Sequence, residues 1–189
     1  MSLPTDIAAE IRVPLPSEEE LRRIIGKDYD ASRTLNVIKM FAGTDDMYPA
    51  VTGFIKAVFH AAGVDPCIRE MIVLRTAKKY NALYEWEANA KLASNVGLSN
   101  EEIAAAGSDS RVKGIDPKYI LVCIATDELS DEGRLSDETL IELLERYGDT
   151  VTRKLILIIG WFNLLSRFVN GCRVPLEATD KIGNGKSPV

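Results

Sequence analysis

The chain has 189 residues and a formal net charge of −5, from 23 Lys and Arg against 28 Asp and Glu. Hydrophobic residues make up 46% and charged residues 27%, the balance of a soluble globular domain, which excludes disorder for the bulk of the chain. The negative balance argues against a nucleic-acid partner, which calls for a basic face to displace counterions.

The first 16 residues contain Pro4, Pro14 and Pro16 and read as an extended arm without the basic and apolar regions of a signal peptide. Ser17 with Glu20 fits a capping box and predicts a helix over 17–25, ended by Gly26. Helices follow over 32–41 and 47–62. Asp65-Pro66 pairs an N-cap with proline at the first helical position and opens a helix over 66–80. The next helices fall at 82–96 and, from the Ser99–Glu102 capping box, at 99–106. Residues 107–115 read as a mobile loop. Asp116-Pro117 opens a helix over 117–129, Ser136 one over 137–147, and the last runs over 150–170. Its apolar run from Leu155 to Leu165 is shorter than the ~20 residues of a membrane span and reads as a buried helix. Residues 178–189 read as a flexible tail.

No alternating strand pattern interrupts this series. The expected class is therefore all-α: one helical bundle of about eight or nine helices over 17–177. No membrane and no nucleic acid are expected as partners, and the expected location is the cytoplasm. Cys67, Cys123 and Cys172 form no CxxC and no metal-ligand spacing. A sparse, odd cysteine count fits a reducing compartment. No metal and no cofactor are expected.

Helical geometry brings out two carboxylates. On 66–80, Glu70 lies within about 60° of Cys67, Val73, Leu74 and Ala77. On 82–96, Glu85 lies within about 60° of Ala88, Leu92 and Val96, with Asn89 about 40° away. An ionised carboxylate is costly to bury unless paired. Two close together would raise one pKa, which suits acid–base work. The bland alternative is a pair that caps a neighbouring helix or binds an arginine such as Arg75.

The same stretch carries Arg69-Glu70, Leu74-Arg75, Tyr84-Glu85-Trp86, Ala93, Gly97-Leu98 and Glu102. On these residues, and on the segments 119–148 and 155–177, the chain resembles the carboxymuconolactone decarboxylase family, whose fold is alkylhydroperoxidase-D-like. The resemblance covers roughly residues 35–177. It implies an all-helical protein that self-associates as a dimer, trimer or hexamer. It also implies one of two chemistries: cofactor-free decarboxylation of a carboxylated lactone, or peroxide reduction by a CxxC pair. The peroxidase cysteines would fall at Ala82 and Glu85, so the redox branch is disfavoured. Glu85-Trp86 matches the other branch, which has a histidine where this chain has Asn89.

The expected function is a cofactor-free lyase or isomerase acting on a small acidic organic substrate. Glu70 and Glu85 would share the proton work. Asn89, Trp86 and Tyr84 would shape the pocket, Arg75 would bind a substrate carboxylate, and His60 is the one histidine that can project into it. Two alternatives stand beside this reading. One is a non-catalytic member that binds a small molecule or serves in assembly. The other is a thiol peroxidase working through a single cysteine, with Cys67, near a helix start, as its best candidate.

Overall fold

A computed structural model describes residues 11–185. Among the described residues the regular structure is helical throughout: α1 (Glu18–Ile25), α2 (Asn36–Ala42), α3 (Tyr48–Phe59), α4 (Pro66–Tyr80), α5 (Leu83–Val96), α6 (Asn100–Ala106), α7 (Pro117–Asp131) and α8 (Asp137–Cys172). The all-α expectation is met. Short 3-10 turns follow α1 and precede α3.

Local chemistry sets most of the starts. The capping boxes at Ser17 and Ser99 form with both of their reciprocal hydrogen bonds. Asp65, Asp116 and Ser136 accept from the first turns of α4, α7 and α8. The helix expected over 32–41 starts late. Asp30 takes the backbone N–H and hydroxyl of Ser32, and Thr34 N–H donates to Asp30 O, so 30–34 close into a turn that competes with helix. The helices expected over 137–147 and 150–170 form one long element broken at Gly148 (φ 70°, ψ 169°), a backbone state open in practice to glycine alone. Thr152 Oγ1 donates across the break to Leu143 O at 3.0 Å.

The core is built around α4. Every residue from Ile68 to Ala77 is buried, because α5, α6, α7 and α8 all pack on this helix. α8 is long and apolar enough to cross a membrane by length and composition alone. Here it lays Leu155, Ile158, Ile159 and Phe162 into the core, which is compatible with a soluble protein.

The described residues next to both termini are tied to the helices. Residues 1–10 of the expected arm lie outside the described residues. From 11 onward the arm is tied to the end of α8: Val13 N–H donates to Cys172 O, and Arg173 to Ile11 O. The expected tail is docked through Gly185. Asn95 on α5 donates to Gly183 O and Gly185 O, and Lys181 pairs with Glu177 at 2.6 Å. Residues 186–189 lie outside the described residues. The loop 107–115 is also pinned, since Arg75 donates to Ser108 O and Ser110 O.

Candidate functional site

A cavity of about 40 Å³ lies between α2, α3, α5 and α8. α5 supplies Tyr84, Glu85, Ala88, Asn89 and Leu92, and α8 supplies Trp161, Phe162, Leu165 and Val169. α2 and its preceding residue close one side with Leu35, Val37, Ile38 and Phe41, and α3 adds Ile55 and Phe59. The aromatic wall is rigidly packed. Phe41 stacks on Phe168 at 4.3 Å, and Phe54 meets Trp161 edge-on at 5.0 Å.

Glu85 lines this cavity and is 2% exposed. Ser166 of α8 donates its hydroxyl to Glu85 Oε2, and Glu85 Oε1 has no hydrogen-bond partner. Among the described residues no cation pairs with this carboxyl. Burial pushes its pKa up to about 8, against a smaller opposing pull from the Ser166 hydrogen bond. At neutral pH Glu85 is therefore mostly a neutral acid able to donate a proton.

Asn89, one turn on, also lines the cavity, but its amide nitrogen donates to Glu85 O at 2.8 Å. Tyr84 presents its ring to the cavity and commits its hydroxyl elsewhere. The hydroxyl donates to Glu177 Oε1 at 2.5 Å and accepts from Val37 N–H at 3.1 Å. Glu177 Oε1 also accepts from Asn36 N–H, so the C-terminal segment caps α2 with an anion.

The other expected site residues lie elsewhere. Glu70 is fully buried, but it is not part of the cavity lining. Arg69 holds its Oε1 through two nitrogens at 2.9 and 3.0 Å. Burial raises the Glu70 pKa to about 7, and Arg69 keeps it below where burial alone would put it. Among the described residues, then, Glu70 has its cation and Glu85 has none.

Arg75 is spent on structure. Its guanidinium grips Asp127 through two bonds of 2.7 Å and donates to the carbonyls of Ala106, Ser108 and Ser110. The pairing of a buried carboxylate with an arginine, weighed from sequence, occurs at Glu70, with Arg69 in place of Arg75. Trp86 packs against Gly107, where an added Cβ would meet its ring at 2.9 Å, and it does not line the cavity. His60 caps the end of α3, exposed, with Nδ1 2.9 Å from Lys56 O. It too is outside the cavity lining.

None of the three thiols is activated. Burial pushes Cys67 and Cys172 up and takes Cys123 to about 12. A nucleophilic thiolate needs the opposite shift. Among the described residues, no three His, Cys, Asp or Glu side chains gather as a metal site.

Sequence reasoning missed Ser166, Trp161 and the α2 wall. Ser166 carries the same signal that exposed Glu85. It lies within about 60° of Ile159, Phe162 and Val169 on an ideal helix.

No family model matches the chain, and no curated protein matches it.

Proposed function

We propose that this protein is a carboxymuconolactone decarboxylase-like, self-associating cytoplasmic protein that works as a cofactor-free lyase or isomerase on a small lactone or related carbonyl compound. One observation carries the reading: Glu85 is a buried, unpaired acid at the wall of an apolar cavity, with one oxygen free. A carboxyl kept neutral by apolar surroundings can donate a proton at neutral pH and take one back in the next step.

In an isomerisation Glu85 gives its proton to the substrate, at carbon or carbonyl oxygen. The carboxylate so formed then removes a proton from a neighbouring carbon, and the acid is restored. In a decarboxylation the same proton goes to the carbon that loses carbon dioxide, and water reprotonates the carboxylate. Ser166 holds Oε2, and Oε1 is left without a hydrogen bond among the described residues.

Self-association is supported by the exposed face of α8. Leu157 and Leu164 are more than half exposed and flank Gly160 at spacings of three and four residues, the period of a helix–helix seam.

The test is turnover of carboxymuconolactone and simple unsaturated lactones by wild type and Glu85→Gln. Loss of at least about 100-fold is expected on removing a general acid. Equal rates would remove Glu85 from the mechanism. A second reading, a non-catalytic binder of the same compounds, is favoured by Asn89, whose amide serves the backbone of its own helix. Saturable binding without turnover by wild type would select it.

A further inference from the structure

The cavity of about 40 Å³ has room for roughly two or three waters and none for a ring compound. An outer groove of about 270 Å³ lies against it, lined by Glu87 and Lys91 of α5 and by the C-terminal segment from Leu176 to Ile182. Three residues line both spaces: Leu35, Tyr84 and Ala88. Ala88 is small, so Leu35 and Tyr84 are the parts of this wall that can move aside.

The C-terminal segment holds both of them. Tyr84 donates its hydroxyl to Glu177 Oε1 at 2.5 Å. Leu35 is the N-cap residue of α2 and has no side-chain acceptor to offer the first turn. The same Glu177 oxygen takes the Asn36 N–H at 2.5 Å in its place. On the other side of Leu35, Lys181 Nζ donates to Thr34 O at 3.1 Å and pairs with Glu177 at 2.6 Å. Asn36 Nδ2 returns bonds to Pro175 O and Leu176 O. One carboxylate thus fixes the tyrosine and one neighbour of the leucine, and the lysine paired with it fixes the other neighbour.

The segment can release locally. Residues 174–185 contain no helix, and Val174 is the one buried residue among them. Such a stretch opens at a free energy below that of global unfolding. We propose that Leu35 and Tyr84 form a gate between the groove and the cavity, that the Glu177 carboxylate is its latch, and that an occupant enters the cavity when the segment 174–185 lets the latch go. With the gate drawn back the two spaces join and enter the size range of small-molecule pockets, from roughly 300 Å³ upward. The proposal rests on the reading of this cavity as the site, but it concerns entry alone and its test needs no substrate.

The test places a thiol in the cavity wall and times its capture by iodoacetamide. Val169 lines the cavity, is 2% exposed, and is close to cysteine in size. Labelling at position 169 of Val169→Cys is followed by fragment mass spectrometry, which separates it from Cys172. Its rate follows the open fraction. Adding Glu177→Gln removes the charge that faces Tyr84, Asn36 and Lys181. Labelling is expected to rise at least about tenfold, the worth of one hydrogen bond to a charged group. Tyr84→Phe keeps the ring and loses the latch, so it moves the rate the same way and decides the matter if Glu177→Gln fails to fold. Arg75→Lys, which loosens the 107–115 loop and touches no part of the cavity lining, leaves the rate unchanged.

Equal rates with and without the latch overturn the proposal. An equal rise in Arg75→Lys also overturns it, because the thiol is then reached through global unfolding. Latch-dependent labelling in a protein that turns over no lactone removes the catalytic reading and leaves the gate standing. Turnover that depends on Glu85, with labelling indifferent to Glu177, removes the gate alone.

Discussion

Ser166 on α8 donates its hydroxyl to one oxygen of Glu85 on α5 and leaves the other oxygen without a partner. This bond ties together α5 and α8 through residues 81 positions apart in the chain. Ser166→Ala removes the donor from a fully buried acceptor, so a stability loss of about 1–3 kcal/mol is expected. The hydroxyl favours the ionised carboxyl, so its loss moves the Glu85 pKa above about 8. The loss should therefore be larger at pH 9 than at pH 6. Urea unfolding of both proteins at the two pH values checks this. A loss of the same size at both would mean that the hydroxyl contributes packing only.

Glu85 also makes a signed prediction about pH. Its folded pKa is about 8, against an ordinary 4.5. The folded state keeps a proton that the unfolded state releases between those values. This group's stabilising contribution is fully present below about pH 4.5 and falls as pH rises to about 8, by up to about 1.4 kcal/mol per pH unit. Glu85→Gln stays neutral throughout and lacks this slope. Subtracting its unfolding free energy from that of wild type across pH 5–9 isolates the effect from Glu70 and the surface carboxylates. A flat difference would show that Glu85 is already ionised in the folded chain.

Much of the fold was legible because it is written locally. Ser17 and Glu20 are three residues apart, as are Ser99 and Glu102, and each pair closes its own helix start. Glu70 and Glu85 were legible as buried because burial on a helix follows from its period. Their partners were not. Arg69 serves Glu70 from the adjacent position, whereas Ser166 reaches Glu85 from another helix. The cap on α2 comes from Glu177, 141 residues from Asn36. Long-range pairs of this kind carry no local spacing to read. The cavity consequently formed between α2, α3, α5 and α8, and not between the two helices whose carboxylates pointed to it.

Tyr84 links the cavity to the docked C-terminal segment. Its hydroxyl donates to Glu177 and accepts from Val37 N–H in the first turn of α2. Tyr84→Phe keeps the ring at the cavity wall and strips both bonds, so a loss of about 1–3 kcal/mol is expected. Hydrogen exchange should locate the damage. The amides of Asn36 and Val37 lose protection first, and residues 174–185 loosen with them, while the interior of α4 keeps its protection. Uniform loss across the chain would place Tyr84 in the global core and not in a local clasp.

Arg75 separates a structural arginine from a substrate-binding one. It is 4% exposed and bonds Asp127 twice, and its remaining donors hold the carbonyls of Ala106, Ser108 and Ser110. Arg75→Ala leaves Asp127 unpaired and those carbonyls without a donor, so a loss of about 3–5 kcal/mol is expected. Arg75→Lys keeps the charge but not the planar fork, and should cost less while still freeing the 107–115 loop. Because Arg75 does not line the cavity, the lactone affinity of the folded Lys variant should match wild type. Urea midpoints and fluorescence titration, read together, decide between the two roles. An affinity that falls while the midpoint holds would return Arg75 to the binding site. A midpoint that falls while affinity holds fixes it as the clamp that ties the loop and α7 to α4.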